Sequence, residues 1–358
     1  MGAAAAPRVL RAGKPGSYTQ LMRILDRLDE LYAIGGGRGA NRPHPGAAED
    51  QAHALVAGWM EDTGLEVEVD PDGNLLGRTA ERSDVWVGSH LDTVPQGGRF
   101  DGALGVVAGI EAVESVGRGS VVAFRGEEVG CVGSRALVAR GGELPSAFLE
   151  LHIEQGPALE QAGSPLGVVT SIVGYARGEL VFEGRAGHAG TTPMYVRDDA
   201  LLRAAAAIFR VSAAAREIDG AVATVGQVEV EPGGANVIPG RVSISVDARA
   251  PDTRRLDRLI DAIGFEPRQR TEPTAMDERC RTVLCEEIAA RGLPVVELPS
   301  GAGHDAGILA AAGVPSAMLF VRSLNEGASH CPEELSSAED IELAVEILTA
   351  TLGRLSAP

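Results

Sequence analysis

Hydrophobic positions along the chain follow two different periods. Apolar side chains recur every three or four residues from Leu21 to Leu31, which predicts an amphipathic helix over residues 18–33. A second helix is predicted through QAHALVAGWM. From Leu65 to Val69 apolar residues alternate with acidic ones, which predicts a half-buried strand. The N-terminal part of the chain therefore contains both helices and strands.

Further along, short apolar runs alternate with helical patterns. The runs are VWVGS, SVVAFR, AFLELHI and VPSAMLF, and segments such as GALGVVAGIEAVES separate most of them. This alternation predicts an α/β fold with a mostly parallel sheet and helices on both faces. Residues 176–273 instead follow a βαββαβ pattern, which predicts an inserted two-layer α+β domain. The first domain is then discontinuous, covering residues 1–175 and 274–358.

Composition narrows the class of protein. The chain has 358 residues, of which 44% are hydrophobic and 23% charged, as expected for a folded protein of two domains. Acidic residues outnumber basic ones by 50 to 32, and this balance argues against nucleic acid as a partner. The four cysteines form no C-x-x-C pair, so we expect reduced thiols and a cytoplasmic location. No apolar stretch is long enough to span a membrane.

Five of the seven histidines lie in short blocks with other polar residues: GSHLD, LHIEQG, GHAG, GAGHD and ASHCPEE. A lone histidine is usually structural, so these neighbours matter. His90 ends an apolar strand, where open α/β sheets place their ligand sites. Asp92 is spaced to orient that imidazole through its second ring nitrogen. Asp101 opens a glycine-rich helix and is either a ligand or a helix N-cap.

Glu127 and Glu128 follow the apolar run VVAF as an adjacent pair. Neighbouring side chains diverge, so one carboxylate can bind a cation while the other reaches a water beside it; a solvated charge pair is the alternative. His152 follows AFLEL, and His330 follows MLFV. Imidazoles and carboxylates at strand ends, without a cysteine pattern, favour a catalytic zinc or manganese site.

Seven blocks together resemble the N-carbamoyl-L-amino acid hydrolase and allantoate amidohydrolase family, which belongs to the dinuclear zinc hydrolases with aminoacylases and carboxypeptidase G. In order, they are GSHLDTVPQGGRFDGALGVVAG, FRGEE, LELHIEQGPALE, GHAGTTPM, GANVIPG, SGAGHDA and GASHCPEE. The similarity extends from about residue 18 to residue 355. It implies a zinc-exopeptidase-like fold with an inserted lid and dimerisation domain. It also implies two divalent metal ions per subunit, with zinc expected and manganese, cobalt or nickel as alternatives.

The resemblance also implies roles for individual residues. Five side chains are expected to hold the metals: His90 and His152 on one ion, Glu128 and His330 on the other, and Asp101 bridging both. Glu127 is expected to be the general base, and Asp92 to orient His90.

The inserted domain contributes three more candidates. His188 is expected to reach the active site of a partner subunit and stabilise the tetrahedral oxyanion, which implies a homodimer. Asn236 and Arg249 are expected to bind the substrate, Arg249 through its carboxylate. A surface ion pair of Arg249 with Asp247 or Asp252 is the alternative.

The resulting hypothesis is a metal-dependent amidohydrolase that removes the carbamoyl group from an N-carbamoyl amino acid or a related ureido acid. Gln155 is expected to contact the ureido group of this small anionic substrate. The alternative is an N-acyl-amino acid deacylase or small peptidase with the same mechanism; a non-catalytic binding protein would require a lost ligand or base. The chain departs from the family in EEVGCVGSRAL, where members have glycine and an Arg-Phe pair, and in a shorter segment before LELHIEQG. These departures bear on the substrate more than on the reaction.

Overall fold

Four parallel strands form the centre of the larger sheet in a computed structural model that describes residues 15–81 and 84–357. They lie in the order β4 (Ser120–Phe124), β3 (Val85–His90), β5 (Ala147–Ile153) and β16 (Ser316–Val321). All three pairings are parallel, and every residue of the four strands is buried. Continuous apolar runs are typical of parallel strands covered on both faces. The predicted α/β fold with a mainly parallel central sheet is confirmed.

Antiparallel strands flank this centre. On one side β1 (Glu66–Val69) pairs with β2 (Leu75–Arg78), and β2 pairs with β4. On the other side β6 (Leu166–Ile172) pairs with β16. The short strands β14 (Thr274–Ala275) and β15 (Glu297–Ser300) also pair with β6.

The chain divides into two units, and β6 runs from one into the other. The first takes the described residues up to Val168, together with Glu278–Val296 and those from Val314 onwards. Its helices are α1 (Pro15–Ala33), α2 (Ala47–Asp62), α3 (Ala103–Val116), α4 (Val132–Arg140), α5 (Ala158–Ala162), α8 (Glu278–Ala290) and α10 (Ala338–Leu355).

Helix α3 packs closely against the strands because it contains glycine where a side chain would collide. A Cβ at Gly105 would lie 2.3 Å from the carbonyl oxygen of Leu151 in β5. Helix α10 buries Ile341, Val345 and Leu348 on one stripe, and its first turn is capped by Ser337. Each such aliphatic side chain contributes roughly 1.5–3 kcal/mol on burial. These helices therefore hold the sheet whose strand ends carry the predicted ligands.

The second unit comprises Val169–Asp277 and Glu297–Gly313, and so contains residues 176–273. Its antiparallel sheet has the order β10 (Val228–Glu231), β12 (Arg241–Ala250), β7 (Gly174–Glu183) and β13 (Pro267–Thr271), with β9 (Val222–Thr224) beside β12. Helices α6 (Ala200–Arg216) and α7 (Thr253–Ile263) cover that sheet. The unit also contains the small ladder of β8 (Gly187–His188) with β11 (Val237–Ile238), a 3-10 turn (Met194–Val196) and α9 (Asp305–Ala311). Its role as a lid and dimerisation domain stays a prediction.

The four cysteines of the chain form no disulfide with one another. Among the described residues, no helix combines the length and the apolar character that crossing a bilayer would need.

Candidate functional site

The predicted ligands lie at one edge of the parallel sheet. His90 is the last residue of β3, and His152 lies near the end of β5. Glu128 follows β4, and His330 lies in the loop after β16. Because these four strands are adjacent and parallel, their carboxyl ends meet at the same edge.

Asp101 lies at the centre of these side chains. Its Oδ1 is 3.2 Å from Nε2 of His152 and 3.6 Å from Nε2 of His90. Its Oδ2 is 3.2 Å from Nε2 of His330, which is itself 3.3 Å from Oε2 of Glu128. We call these five residues the Asp101 cluster. The two oxygens of one carboxylate thus face two separate groups of possible metal ligands, which we call the two donor groups: His90 with His152, and Glu128 with His330.

The histidines of the first group present the ring nitrogen that a metal needs. Nδ1 of His90 faces two acceptors, the carbonyl oxygen of Asp92 at 3.1 Å and its Oδ1 at 3.3 Å, so Nδ1 carries the proton. Nδ1 of His152 likewise faces the carbonyl oxygen of Ile153 at 2.9 Å. Nε2 of His90 is buried and has no hydrogen-bond partner among the described residues. The residues on each side of Asp101 therefore have the geometry and the donor chemistry to hold a metal ion.

The carboxylates of the site favour a cation. Burial lowers the pKa of His90, but the charge of Glu127 and the nearby carboxylates of Asp101 and Asp92 outweigh it, so the pKa lies well above its ordinary value. The hydrogen bond to Asp101 raises the pKa of His330 to about 9. Burial raises the pKa of Glu128, and the charge of Asp101 adds to that rise. These shifts show that negative charge exceeds positive charge in the site, and such an excess favours the binding of a cation.

Asp92 connects His90 to the glutamate pair. Its Oδ1 accepts a hydrogen bond from the backbone N–H of Glu127 at 3.0 Å, and its Oδ2 accepts one from Glu128 at 3.1 Å. Burial raises the pKa of Asp92, but His90 and these N–H groups lower it by more, so the carboxylate stays charged. One side chain therefore fixes both the imidazole and the turn that carries the glutamates.

Glu127 lies beside the cluster without belonging to either ligand group. Its Oε2 is 3.7 Å from Nε2 of His90, and its side chain is only 10% exposed. The ligand groups found among the described residues include Glu128 and omit Glu127. The two adjacent glutamates therefore occupy different positions relative to the cluster.

Gln155 contacts the Asp101 cluster directly. Its Nε2 donates to Oδ2 of Asp101 at 2.9 Å and lies 3.3 Å from Nε2 of His330. Its backbone is in the left-handed region (φ +59°), as are those of His330 and Cys131 (both φ +56°). Such conformations are unfavourable for residues other than glycine and are typical of functional sites.

In the second unit, His188 ends β8, and Asn236 lies in the turn immediately before the neighbouring strand β11. His188 pairs with Val237, and the carbonyl oxygen of Asn236 accepts a hydrogen bond from Ala189 at 2.9 Å. The backbone N–H of Gly190 donates to Nδ1 of His188 at 3.0 Å. Nδ1 is therefore the acceptor, and in the neutral ring Nε2 carries the proton of this exposed side chain.

Arg249 forms the ion pair that the sequence offered as the alternative to substrate binding. Its Nε and Nη2 donate to the two oxygens of Asp247 at 2.9 and 3.3 Å, and its Nη1 donates to the carbonyl oxygen of Gly301 at 3.0 Å. Asp247 also accepts a hydrogen bond from Arg177 at 2.7 Å. Counting five N–H groups on a guanidinium, one remains on each terminal nitrogen. The predicted contact with a substrate carboxylate would use these two.

Comparison with known proteins decides the family. Residues 86–354 match the model of peptidase family M20/M25/M40. The chain belongs to this family.

Relatives that align over most of this chain narrow its place within the M20/M25/M40 family. It is 36% identical to an N-carbamoyl-L-amino acid amidohydrolase of Geobacillus stearothermophilus, with 93% of this chain and 98% of the relative covered. It is 34% identical to an allantoate amidohydrolase of Bacillus subtilis (strain 168), with 85% and 90% covered. A hydantoinase/carbamoylase family amidase from Burkholderia multivorans has a similar structure, with a TM-score of 0.87, 31% identity, and 94% and 98% covered. The predicted family and the predicted class of enzyme, a hydrolase, are confirmed.

The departure EEVGCVGSRAL forms a tight turn beside the predicted ligands. The N–H groups of Gly130 and Cys131 both donate to the carbonyl oxygen of Glu127 at 2.9 Å, which forms a tight turn before α4. The side chain of Asn74 connects the two ends of the turn, accepting from Arg125 N at 3.1 Å and donating to Gly133 O at 3.1 Å.

Sequence reasoning missed two buried charged residues. Arg42, in the glycine- and proline-rich segment between α1 and α2, is 1% exposed and donates to the carbonyl oxygen of Leu91, between His90 and Asp92, at 2.7 Å. Burial lowers the pKa of Arg42 to about 10. Glu334 is 5% exposed; burial, followed by the charge of Asp101, raises its pKa to about 7. No periodicity marks either residue, although Glu334 falls within the block GASHCPEE.

Proposed function

We propose that the protein is a metal-dependent amidohydrolase that removes the N-carbamoyl group from an N-carbamoyl amino acid or a related ureido acid. The observation that carries the proposal is the division of the Asp101 cluster into two donor groups that share one carboxylate. The family relatives whose names give an N-carbamoyl-L-amino acid or allantoate as substrate support the substrate class.

Two divalent ions, zinc by preference, fit the donor set. His90 and His152 would hold one, Glu128 and His330 the other, and Asp101 both. When bound, such a pair lowers the pKa of a water molecule and polarises the substrate carbonyl.

Glu127 is the proposed general base. Its largely buried carboxylate lies next to the ligands without being one of them, so it is available to accept a proton from the attacking water. Water adds to the carbamoyl carbon, and the C–N bond to the amino nitrogen breaks. Glu127 then returns the proton to that nitrogen, and the amine leaves. The remaining carbamate decomposes to ammonia and carbon dioxide.

His188 is the proposed donor to the oxyanion that forms during this addition. Its tautomer supports the role, because Nε2 carries the proton and the ring is exposed. We infer that it acts in the site of a second copy, with Asn236 and Arg249 binding the substrate and Gln155 contacting the ureido group.

The homodimer that this role requires has a suitable surface. Helix α6 buries Ala204 and Ala207 on one face, whereas Leu202 and Phe209 lie on the opposite face, 62% and 79% exposed. Tyr195, in the preceding turn, is 88% exposed. Several large apolar side chains exposed on one unit are typical of a protein interface.

Four cysteines without a disulfide between them support the expected cytoplasmic location.

The deciding experiment supplies the metal-reconstituted protein with N-carbamoyl, N-formyl and N-acetyl amino acids, a dipeptide and allantoate. Ammonia and free amine are measured separately, and metal-free protein is the control. We expect equal amounts of ammonia and amine from an N-carbamoyl amino acid. Amine without ammonia from the N-acetyl substrate or the dipeptide would instead identify a deacylase or peptidase. No product from any substrate would contradict the proposal.

A further inference from the structure

We propose that Glu334 is a positioning residue that holds the two donor groups of the Asp101 cluster in register. This inference rests on the proposed function, since it assigns Glu334 a role toward the metal ions.

Glu334 joins two loops that are distant in sequence. Its Oε1 accepts hydrogen bonds from the backbone N–H of Phe100 at 2.7 Å and of Asp101 at 3.1 Å. Its Oε2 accepts one from the hydroxyl of Ser329 at 3.1 Å, immediately before His330. One carboxylate thus connects the backbone of the shared ligand to the loop that carries a ligand of the second group.

The burial of Glu334 makes these contacts decisive for its position. A carboxylate that is 5% exposed has lost most of its water, and hydrogen bonds from the protein must replace it. All three donors belong to the two ligand loops. The carboxylate therefore has one favourable position, and that position fixes both loops.

Gly98 constrains the same carboxylate from the other side. A Cβ built on Gly98 would lie 1.9 Å from Cδ of Glu334. Any larger residue would have to displace the carboxyl group. Gly98→Ala therefore perturbs the position of Glu334 while leaving every hydrogen-bonding group in place.

The loops need this support because their ligands are not fixed by regular structure. Asp101 precedes α3, and His330 lies in a loop with a left-handed backbone (φ +56°). Residues that orient metal ligands from outside typically change metal affinity 10- to 100-fold when they are removed. Because Ser329 contacts only the carboxyl oxygen facing the His330 loop, its removal should affect one donor group more than the other.

The test measures Zn²⁺ affinity and stoichiometry by chelator competition on metal-stripped protein, together with the visible spectrum after Co²⁺ loading. The variants are Glu334→Ala, Glu334→Gln, Gly98→Ala and Ser329→Ala. Glu333→Ala is the matched control, because Glu333 is the exposed neighbour that pairs with Arg38. Far-UV circular dichroism checks that each variant is folded.

We expect Glu334→Ala to weaken the binding of both ions by about 10- to 100-fold and to alter the Co²⁺ spectrum. Gly98→Ala should also weaken metal binding and alter the spectrum. Ser329→Ala should weaken the binding of one ion by about tenfold and leave the binding of the other unchanged. Glu334→Gln should stay within a few-fold of wild type, because its amide oxygen can accept both backbone N–H bonds. Glu333→Ala should match wild type.

A folded Glu334→Ala variant with wild-type affinity and spectrum would overturn the proposal. Should that variant fail to fold, a folded Gly98→Ala variant with wild-type affinity would overturn it. Ser329→Ala with both ions unchanged would refute the connection to His330. Wild-type protein that binds no metal would contradict the proposed metal dependence itself, and thus this inference with it.

Discussion

The backbone N–H of Glu127 donates to the same carboxylate oxygen of Asp92 that lies 3.3 Å from Nδ1 of His90. The other oxygen of Asp92 accepts a hydrogen bond from the backbone N–H of Glu128. In Asp92→Asn, an amide NH₂ that replaces this oxygen would face the N–H of Glu128, and two donors repel each other. We expect kcat to fall about 10- to 100-fold with little change in KM. Steady-state kinetics on the N-carbamoyl substrate measure this, with Asp62→Asn, at an exposed position, as control. An unchanged kcat would show that Asp92 does not orient the glutamates.

Glu127→Gln preserves the shape of the side chain and removes its ability to accept a proton. We expect metal content equal to wild type and turnover lower by about 10²- to 10⁴-fold, the range typical of a lost general base. Glu128→Gln is the matched control, and it should lose metal instead. Substantial activity in the Glu127→Gln protein would refute the proposed mechanism.

Complementation tests whether His188 serves a partner's site. His188→Ala and Glu127→Gln homodimers should each be nearly inactive. In a mixed dimer, one site combines an intact Glu127 with an intact His188 from the other copy. Random exchange of subunits should therefore restore about a quarter of wild-type activity. No recovery, with mixed dimers demonstrated by mass spectrometry, would mean that His188 does not act across subunits.

The stability of the metal-free protein should depend on pH through His330. Its folded pKa of about 9 exceeds the ordinary value of 6.5, so the folded state binds more protons between these values. The free energy of unfolding should consequently fall as pH rises from 6.5 to 9. Solvent screens this side chain, which is 49% exposed, and we expect a loss of about 1 kcal/mol. Urea titrations at both pH values measure it, and His330→Gln should show a smaller loss; an equal loss would assign the effect to other groups.

The common location of the predicted ligands could be foreseen because it follows from strand order. His90 and His152 end apolar runs, and parallel strands bring such ends to one edge. Asp101 was ambiguous between ligand and N-cap from local sequence, because both roles favour the same residue at a helix start. In the structure the N-cap of α3 is Gly102, and the carboxylate of Asp101 instead faces ring nitrogens from β3, β5 and the loop after β16.

Other features depend on distances that no local pattern encodes. Glu334 contacts Phe100 across more than two hundred residues, and neither position shows the periodicity that marks a core. The ion pair of Arg249 with Asp247 was foreseeable as one of two interpretations. No sequence pattern could show that this ion pair leaves one N–H on each terminal nitrogen of the guanidinium, because that depends on side-chain geometry.

Strand β16 lies between β5 and β6, although the ribosome makes it long after both. Until residues 316–321 emerge, the edge of β5 has no partner on that side, and exposed edges invite pairing with other chains. The central sheet can therefore be completed only after nearly the whole chain has been synthesised. Truncated or stalled chains would carry His90 and His152 beside an open edge, so we expect incomplete chains to aggregate more readily than the finished protein.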